Sequence, residues 1–296
     1  MLPILMTRPC PGASVEELVR NAWEGETKAL IELLLRRGGL PGPRPNIKLA
    51  LSAAQGLAGG GEKGHGVLDA WRLMGEAEAP VGTAYPILPM VGVLGYGFIA
   101  SRASCSDEFE RALATLHQHA DDNRREVRQA VVTSLTIAMQ GQSHPTLEAL
   151  HGWTDGYFHA EVMLQALSEP SVLQVIRDAD LVLERLQDAY TLVSDAPRSH
   201  QRSHGYRALV RTMSHAVAAI GRRYPQPVVH WIEQQVQGSN KDLLDMLHAS
   251  LRRLRDEGLR RGDVQSIYQA IDAAEPAPRD PRWNVGPTRG RGKKIR

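Results

Sequence analysis

The sequence predicts an all-α protein assembled from consecutive helical hairpins. Three observations point there. Apolar residues recur at helical spacing along most of the chain, as in Phe109, Leu113 and Leu116 or Val127, Ala130, Val131, Leu135 and Ala138. Aromatic residues make up only 5% of the composition, β-branched alternation is scarce, and Ala, Leu, Arg, Glu and Gln fill the periodic segments. Short joints of Asp, Asn, Gly and Ser separate these segments, and such residues cap helices and turn chains.

Taken in order, the chain starts with residues 1–13, expected to be disordered, and continues as a helical repeat domain over 14–274. Ser14 and Glu17 have the spacing of a capping box. Leu18, Ala22, Leu30, Leu33 and Leu34 follow, with a break near Gly25, and the Gly38–Pro45 run ends the helix. Asn46 caps a helix whose apolar face is Leu49, Ala50, Ala53, Ala54 and Leu57. Gly59–Gly66 reads as a flexible loop without the GK[ST] or GxGxxG pattern of a phosphate site, and Val67–Met74 as a short helix. Pro80–Ser101 reads as a longer apolar helix, with Pro86 and Pro89 suited to its first turns and Gly92, Gly95 and Gly97 permitting close packing. The hairpin Asp107–Gln140 carries the clearest pattern, with Ala120–Asn123 as its joint and Arg124, Arg125, Glu126 and Gln129 on the polar side of its second helix. Thr154-Asp155-Gly156 precedes a helix containing Phe158, Val162, Met163 and Leu167. Val172–Val193 is one long helix or two. After the polar loop Ser194–Gly205 come helices at Tyr206–Arg223, around Val229–Val236 and around Leu244–Leu254, the last two joined at Gly238-Ser239-Asn240, and a short one at Val264–Ala273. Residues 275–296, with four prolines and a GPTRGRGKKIR end, read as a disordered basic tail.

The second helices of these hairpins begin near 46, 84, 124, 156, 204 and 241, a degenerate period of roughly 40 residues. DDNRREVRQAVVTSL is similar to the turn and second helix of a HEAT repeat, and TDGYFHAEVMLQAL and NKDLLDMLHASLRRL look like weaker copies. The resemblance to the HEAT-repeat (armadillo-type) family covers about residues 40–274. It implies a right-handed α-solenoid of about six hairpins whose concave face binds a partner, and it specifies a fold rather than an activity.

A net charge of +2 conceals an asymmetry: residues 1–195 carry 16 Lys and Arg against 24 Asp and Glu, residues 196–296 carry 19 against 9. The basic last third suits a polyanion or an acidic protein. Cys10 and Cys105 have neither metal spacing nor a disulfide framework and are expected to be free thiols in a reducing compartment. With no signal-like start and no run of membrane-spanning length, the expected location is cytoplasmic.

Chemistry is sparsely marked. His117 and His119, two apart, point to different sides of their helix, and His200 and His204 lack companions at ligand spacing, so neither a metal site nor a cofactor is expected. The His-Glu pairs that ligate iron in deoxyhypusine hydroxylases, an enzymatic HEAT-repeat family, do not occur, nor do hydrolase or protease motifs. MSHAVAAIGRRYPQPVVHWIEQQ is similar to the C-terminal repeats of alkylpurine DNA glycosylases with HEAT-like repeats. That resemblance implies Trp153, Trp231, Asp155 and Arg207 as candidates for holding an alkylated base and stabilising a sugar cation, although the family's Trp-Asp-x-Val-Asp run is missing. Beside it stands the plain reading of Trp153 as a turn aromatic and Asp155 as an N-cap. A basic series, Arg198, Arg202, Arg207, Arg211, Arg222, Arg223, Arg252 and Arg253, forms a phosphate-following stripe if it lies on one side of the repeats. The expected function is a non-catalytic scaffold binding a protein partner through its concave face; the alternative is a DNA-binding protein of the glycosylase type.

Overall fold

The computed structural model describes residues 14–237, 240–256, 258 and 260–274, the side chains of Arg261 and Asp263 excepted. The two ends expected to be disordered, 1–13 and 275–296, and residues 238–239 of the last joint lie outside the described residues. Everything regular within them is helical.

The helices are α1 (Val15–Trp23), α2 (Lys28–Arg37), α3 (Ile47–Ala58), α4 (Gly61–Arg72), α5 (Ile87–Arg102), α6 (Ser106–Gln118), α7 (Arg125–Gly141), α8 (Ser143–Ala149), α9 (Tyr157–Leu167), α10 (Pro170–Val175), α11 (Ala179–Ser194), α12 (His204–Arg223), α13 (Pro225–Val236), α14 (Lys241–Asp256) and α15 (Arg261–Ala274), with 3-10 turns at Leu150–Thr154 and His200–Arg202. The expected caps form where short polar side chains meet free first-turn amides. Ser14 and Glu17 complete their capping box at 3.2 and 3.1 Å. Asn46 accepts from the Leu49 amide; Asn240, read from the sequence only as part of a joint, accepts from the Leu243 amide in the same way.

Two expectations change, and one that was left open is decided. Gly59–Gly66 is not a loop: from Gly61 onward it is the first turns of α4. The glycines are used for proximity, since a Cβ on Gly64 would stand 1.9 Å from the Leu57 carbonyl oxygen and one on Gly60 would strike the Trp23 indole. The Val172–Val193 segment is two helices, because Ile176 turns to extended backbone and Asp178 then caps α11 by accepting from the Leu181 amide. The joint before α7 carries no Asp or Asn cap. Arg124 is the N-cap residue, and Asp122 instead accepts from both the backbone and the guanidinium of Arg124.

The second helices of the hairpins pack in chain order, α3 on α5, α5 on α7, α7 on α9, α9 on α12 and α12 on α14. The remaining helices lie against them, with α4 and α6 on α5, α8 on α7, α11 and α13 on α12, and α15 on α13 and α14. One contiguous apolar core runs through these contacts from Leu18 to Ile271. The α5–α7 approach is the tightest in composition: Gly97 faces Ser134, whose hydroxyl donates to the Val93 carbonyl at 3.1 Å. At the end of α5, the Gln142 amide donates to the carbonyls of Ala100 and Ala103, supplying partners that the helix terminus lacks. No helix among the described residues is long and apolar enough to cross a membrane.

Candidate functional site

A groove of about 540 Å³ crosses α7, α9 and α12. Val132, Val162 and Ala208 lie nearly buried at its floor, where helical spacing turns them toward the seams between these helices, and polar side chains line most of the rest. Arg125 and Arg128 rise from the α7 side, and His204 and Arg211 from the α12 side. Arg128 is held in place: its guanidinium donates to the carbonyls of Asp122 and Asn123 and lies 4.6 Å from the centre of the Phe158 ring on α9. Arg125 and Arg211 are exposed and have no ion-pair partner within bonding distance among the described residues.

Glu161 sits between the two basic rims. Gln165 donates to its Oε1 at 2.9 Å and Thr212 at 3.4 Å. Burial pushes this carboxyl above the usual carboxylate range, against the pull of Arg128, the two hydrogen bonds and Arg211. The groove is continued along α12 and α14 by a second depression that shares Arg211 and is lined by Arg207, Ser214, Asp242, Asp245 and Met246.

The arginines of the expected basic stripe separate in this frame. Arg207 and Arg211 line the groove, and Arg253 reaches across from α14 to donate to His215 on α12 at 3.2 Å. Arg223 does something else, lying over Tyr224 and donating to the Leu173 carbonyl, so that it ties α12 to α10. Arg252 is exposed on α14 and does not line the groove. Arg198 and Arg202 are exposed in the loop before α12, and Arg222 is exposed at the far end of that helix. The series is therefore not one stripe.

The aromatic candidates are interior. Trp231 is 5% exposed, packs edge-on against Tyr190 and donates its indole N–H to Gln187 at 2.8 Å. Trp153 is 3% exposed. Neither has a free face on which to stack a base, which speaks against Trp231 as a binding residue and against the alternative catalytic role for Trp153. Asp155 is not an N-cap, since Gly156 holds that position before α9 without a side-chain bond. Its carboxylate instead joins a cluster: Oδ1 lies 3.1 Å from His117 Nε2 and 3.6 Å from His159 Nδ1. The two imidazoles stack with centroids 4.1 Å apart, and Trp153 meets His117 edge-on at 5.1 Å. Burial, with His117 alongside, holds His159 below the ordinary histidine range. His119 points away into the protein, as its two-residue offset from His117 requires, and there burial and Arg72 lower its pKa as well.

Sequence reading placed Arg125, Phe158 and His204 in the chain without giving them a binding role, and did not single out Glu161 or Arg128 as site residues. A register signal was present. Arg125 and Arg128 stand early in α7, Phe158 and Glu161 in α9, and His204 and Arg207 in α12, each pair three residues apart. Compared with protein-family models, with curated proteins and with solved structures, the chain shows no significant match.

Proposed function

We propose that the chain is a HEAT-like α-solenoid binding scaffold, non-catalytic at its groove, which grips an extended acidic segment of a partner protein across α7, α9 and α12. The observation that carries this reading is the pairing of basic rims, Arg125 and Arg128 opposite Arg211, around an apolar floor. A peptide with alternating carboxylate and aliphatic side chains matches both at once, its carboxylates reaching the guanidiniums and its apolar side chains meeting Val132, Val162 and Ala208. Arg128 is already ordered by two carbonyls and Phe158, so less side-chain entropy is lost on binding. Sequential packing of the second helices supports the solenoid, because stacking repeats bring equivalent helices side by side.

Nucleic acid fits less well. Glu161, Asp242 and Asp245 interrupt the basic surface that a phosphate backbone would follow, and buried Trp153 and Trp231 offer no aromatic clamp. The test is fluorescence anisotropy of a labelled peptide alternating Glu and Leu, run beside a labelled DNA duplex. The expected result is peptide binding that weakens by about tenfold or more in the double variant Arg128→Glu, Arg211→Glu, with duplex binding weaker and lost at physiological salt. Duplex binding that outlasts peptide binding as salt rises overturns the reading.

A further inference from the structure

Three segments meet at the histidine cluster. His117 stands in the last turn of α6, Asp155 in the joint after the 3-10 turn, and His159 in the first turn of α9. Their donor atoms all lie within 4.8 Å of one another. The 3.1 and 3.6 Å separations from Asp155 Oδ1 to the two imidazole nitrogens bracket the spacing between neighbouring ligands of a tetrahedral zinc ion, roughly 3.3 Å when each bond is about 2.0 Å.

Hydrogen bonding among the three does not account for the arrangement. One proton between His117 Nε2 and Asp155 satisfies that pair, but His159 Nδ1 is buried and has no hydrogen-bond partner. A buried polar atom left in that state is destabilising, whereas a metal ion takes its lone pair directly. The backbone also makes room for this nitrogen. Position 156 is glycine, and a Cβ there would stand 2.4 Å from His159 Nδ1. One flank of the cluster is closed by Trp153, while the Asp155 side chain is 54% exposed, so the opposite flank opens to solvent.

We propose that His117 Nε2, Asp155 Oδ1 and His159 Nδ1 bind one divalent transition-metal ion of the zinc class, with water completing the coordination on the open side. Two imidazoles and one carboxylate are borderline donors suited to such an ion and leave a position for an exchangeable ligand. The ion would join α6 to the start of α9 through the intervening turn. The site lies apart from the arginine groove, and neither depends on the other.

The experiment uses the full chain freed of metal by chelation, then dialysed and titrated with Zn(II), and separately with Co(II) for its visible absorption. The expected result is one ion per chain, a ligand-field spectrum of a low-coordinate site with Co(II), and a rise in melting temperature with Zn(II). Asp155→Asn removes a ligand charge from an exposed side chain and is expected to weaken binding about tenfold or more. His159→Ala is expected to do at least as much, and His144→Ala, on the exposed surface of α8, to leave it unchanged. Circular dichroism establishes that each variant is folded; should His159→Ala unfold, Asp155→Asn and His117→Asn decide. Absence of stoichiometric binding by the native chain, or binding that Asp155→Asn leaves untouched, overturns the proposal.

Discussion

Helices α5 and α12 occupy equivalent places in the packing order and are built on opposite terms. Twelve of the sixteen residues of α5 are buried, among them glycines where neighbouring helices come closest, and no polar stripe runs along it. It is enclosed by α2, α3, α4, α6 and α7. In α12 a long apolar face from Leu209 to Ile220 is buried, while Arg207, Arg211 and His215 stay exposed at intervals of one helical turn. The difference follows from side-chain size. Small residues let α5 and α7 touch backbone to backbone and leave no space between them, whereas Phe158, Glu161 and Arg211 hold the α7–α9–α12 surface open as a groove. The α5–α7 seam is closed, although α4, α5 and α6 leave a groove of about 510 Å³ on the other side of α5, whereas the α7–α9–α12 surface is itself open.

The strongest way to break this contrast is to add volume on the sealed side. A Cβ at Gly97 would lie 2.6 Å from the Ser134 Cα and 2.9 Å from its carbonyl oxygen, both backbone atoms that move only if α7 moves. Gly97→Val is therefore expected to cost about 3 kcal/mol, the upper part of the usual range for overpacking. Urea denaturation measures it. A midpoint within error of the native one would mean that α5 and α7 are not held as closely as the glycine implies.

How much of this was legible in the sequence depends on what each residue's role requires. Capping by Ser14 and Asn46 is local and was readable, as was the break near Gly25, because short-range sterics and hydrogen bonds decide them; α5, expected from Pro80, begins only at Ile87. Arg124 was not readable. It sits beside Arg125 in a polar run, yet it is 3% exposed, because its guanidinium reaches the Met74 carbonyl on a distant loop at 2.8 Å. The Gly59–Gly66 segment failed for the same reason: its glycines answer to Leu57 and Trp23, partners that no local window contains. Of the sites, the arginines of α12 could be read as exposed from periodicity. The approach of His117 to His159 could not, since it depends on how α6 meets the joint before α9.

An intermediate effect is expected from the pair that locks the sealed side of α7. Asp122 and Arg124 meet at 2.7 Å with side chains 12% and 4% exposed. Burial works to raise the Asp122 carboxyl, but hydrogen bonds from the Arg124 side chain and backbone, with its charge, outweigh burial and hold it below the ordinary value. A carboxyl lowered on folding lends stability that is complete above its unfolded pKa of about 3.9 and disappears as pH falls through the lower folded value. Stability of the native chain should thus drop as pH falls below about 4. Asp122→Asn should already be less stable at neutral pH, by about 2 kcal/mol, and should lose less on acidification. Paired urea titrations at neutral and acidic pH measure both; parallel pH profiles for the two proteins would remove the ion pair from the account.

The smallest effect sharpens the contrast from the other side. Gly221 lies in α12 as Gly97 lies in α5, and an added Cβ would again come within 2.6 Å of another atom. That atom is Leu254 Cδ2, the far end of a flexible side chain on α14, and the next neighbours are Leu254 Cδ1 and Val228 Cγ1 at 3.2 Å. Leu254 can yield by a rotamer adjustment costing about 1 kcal/mol, and alanine regains about 1 kcal/mol of helix propensity over glycine. The two nearly cancel, so Gly221→Ala should move stability by less than about 1 kcal/mol in either direction. Equal distances on the two helices then give unequal energies, because backbone resists and a leucine methyl does not. A loss as large as that of Gly97→Val would show that the α12–α14 contact is as rigid as the α5–α7 one, and the distinction between the two contacts would fail.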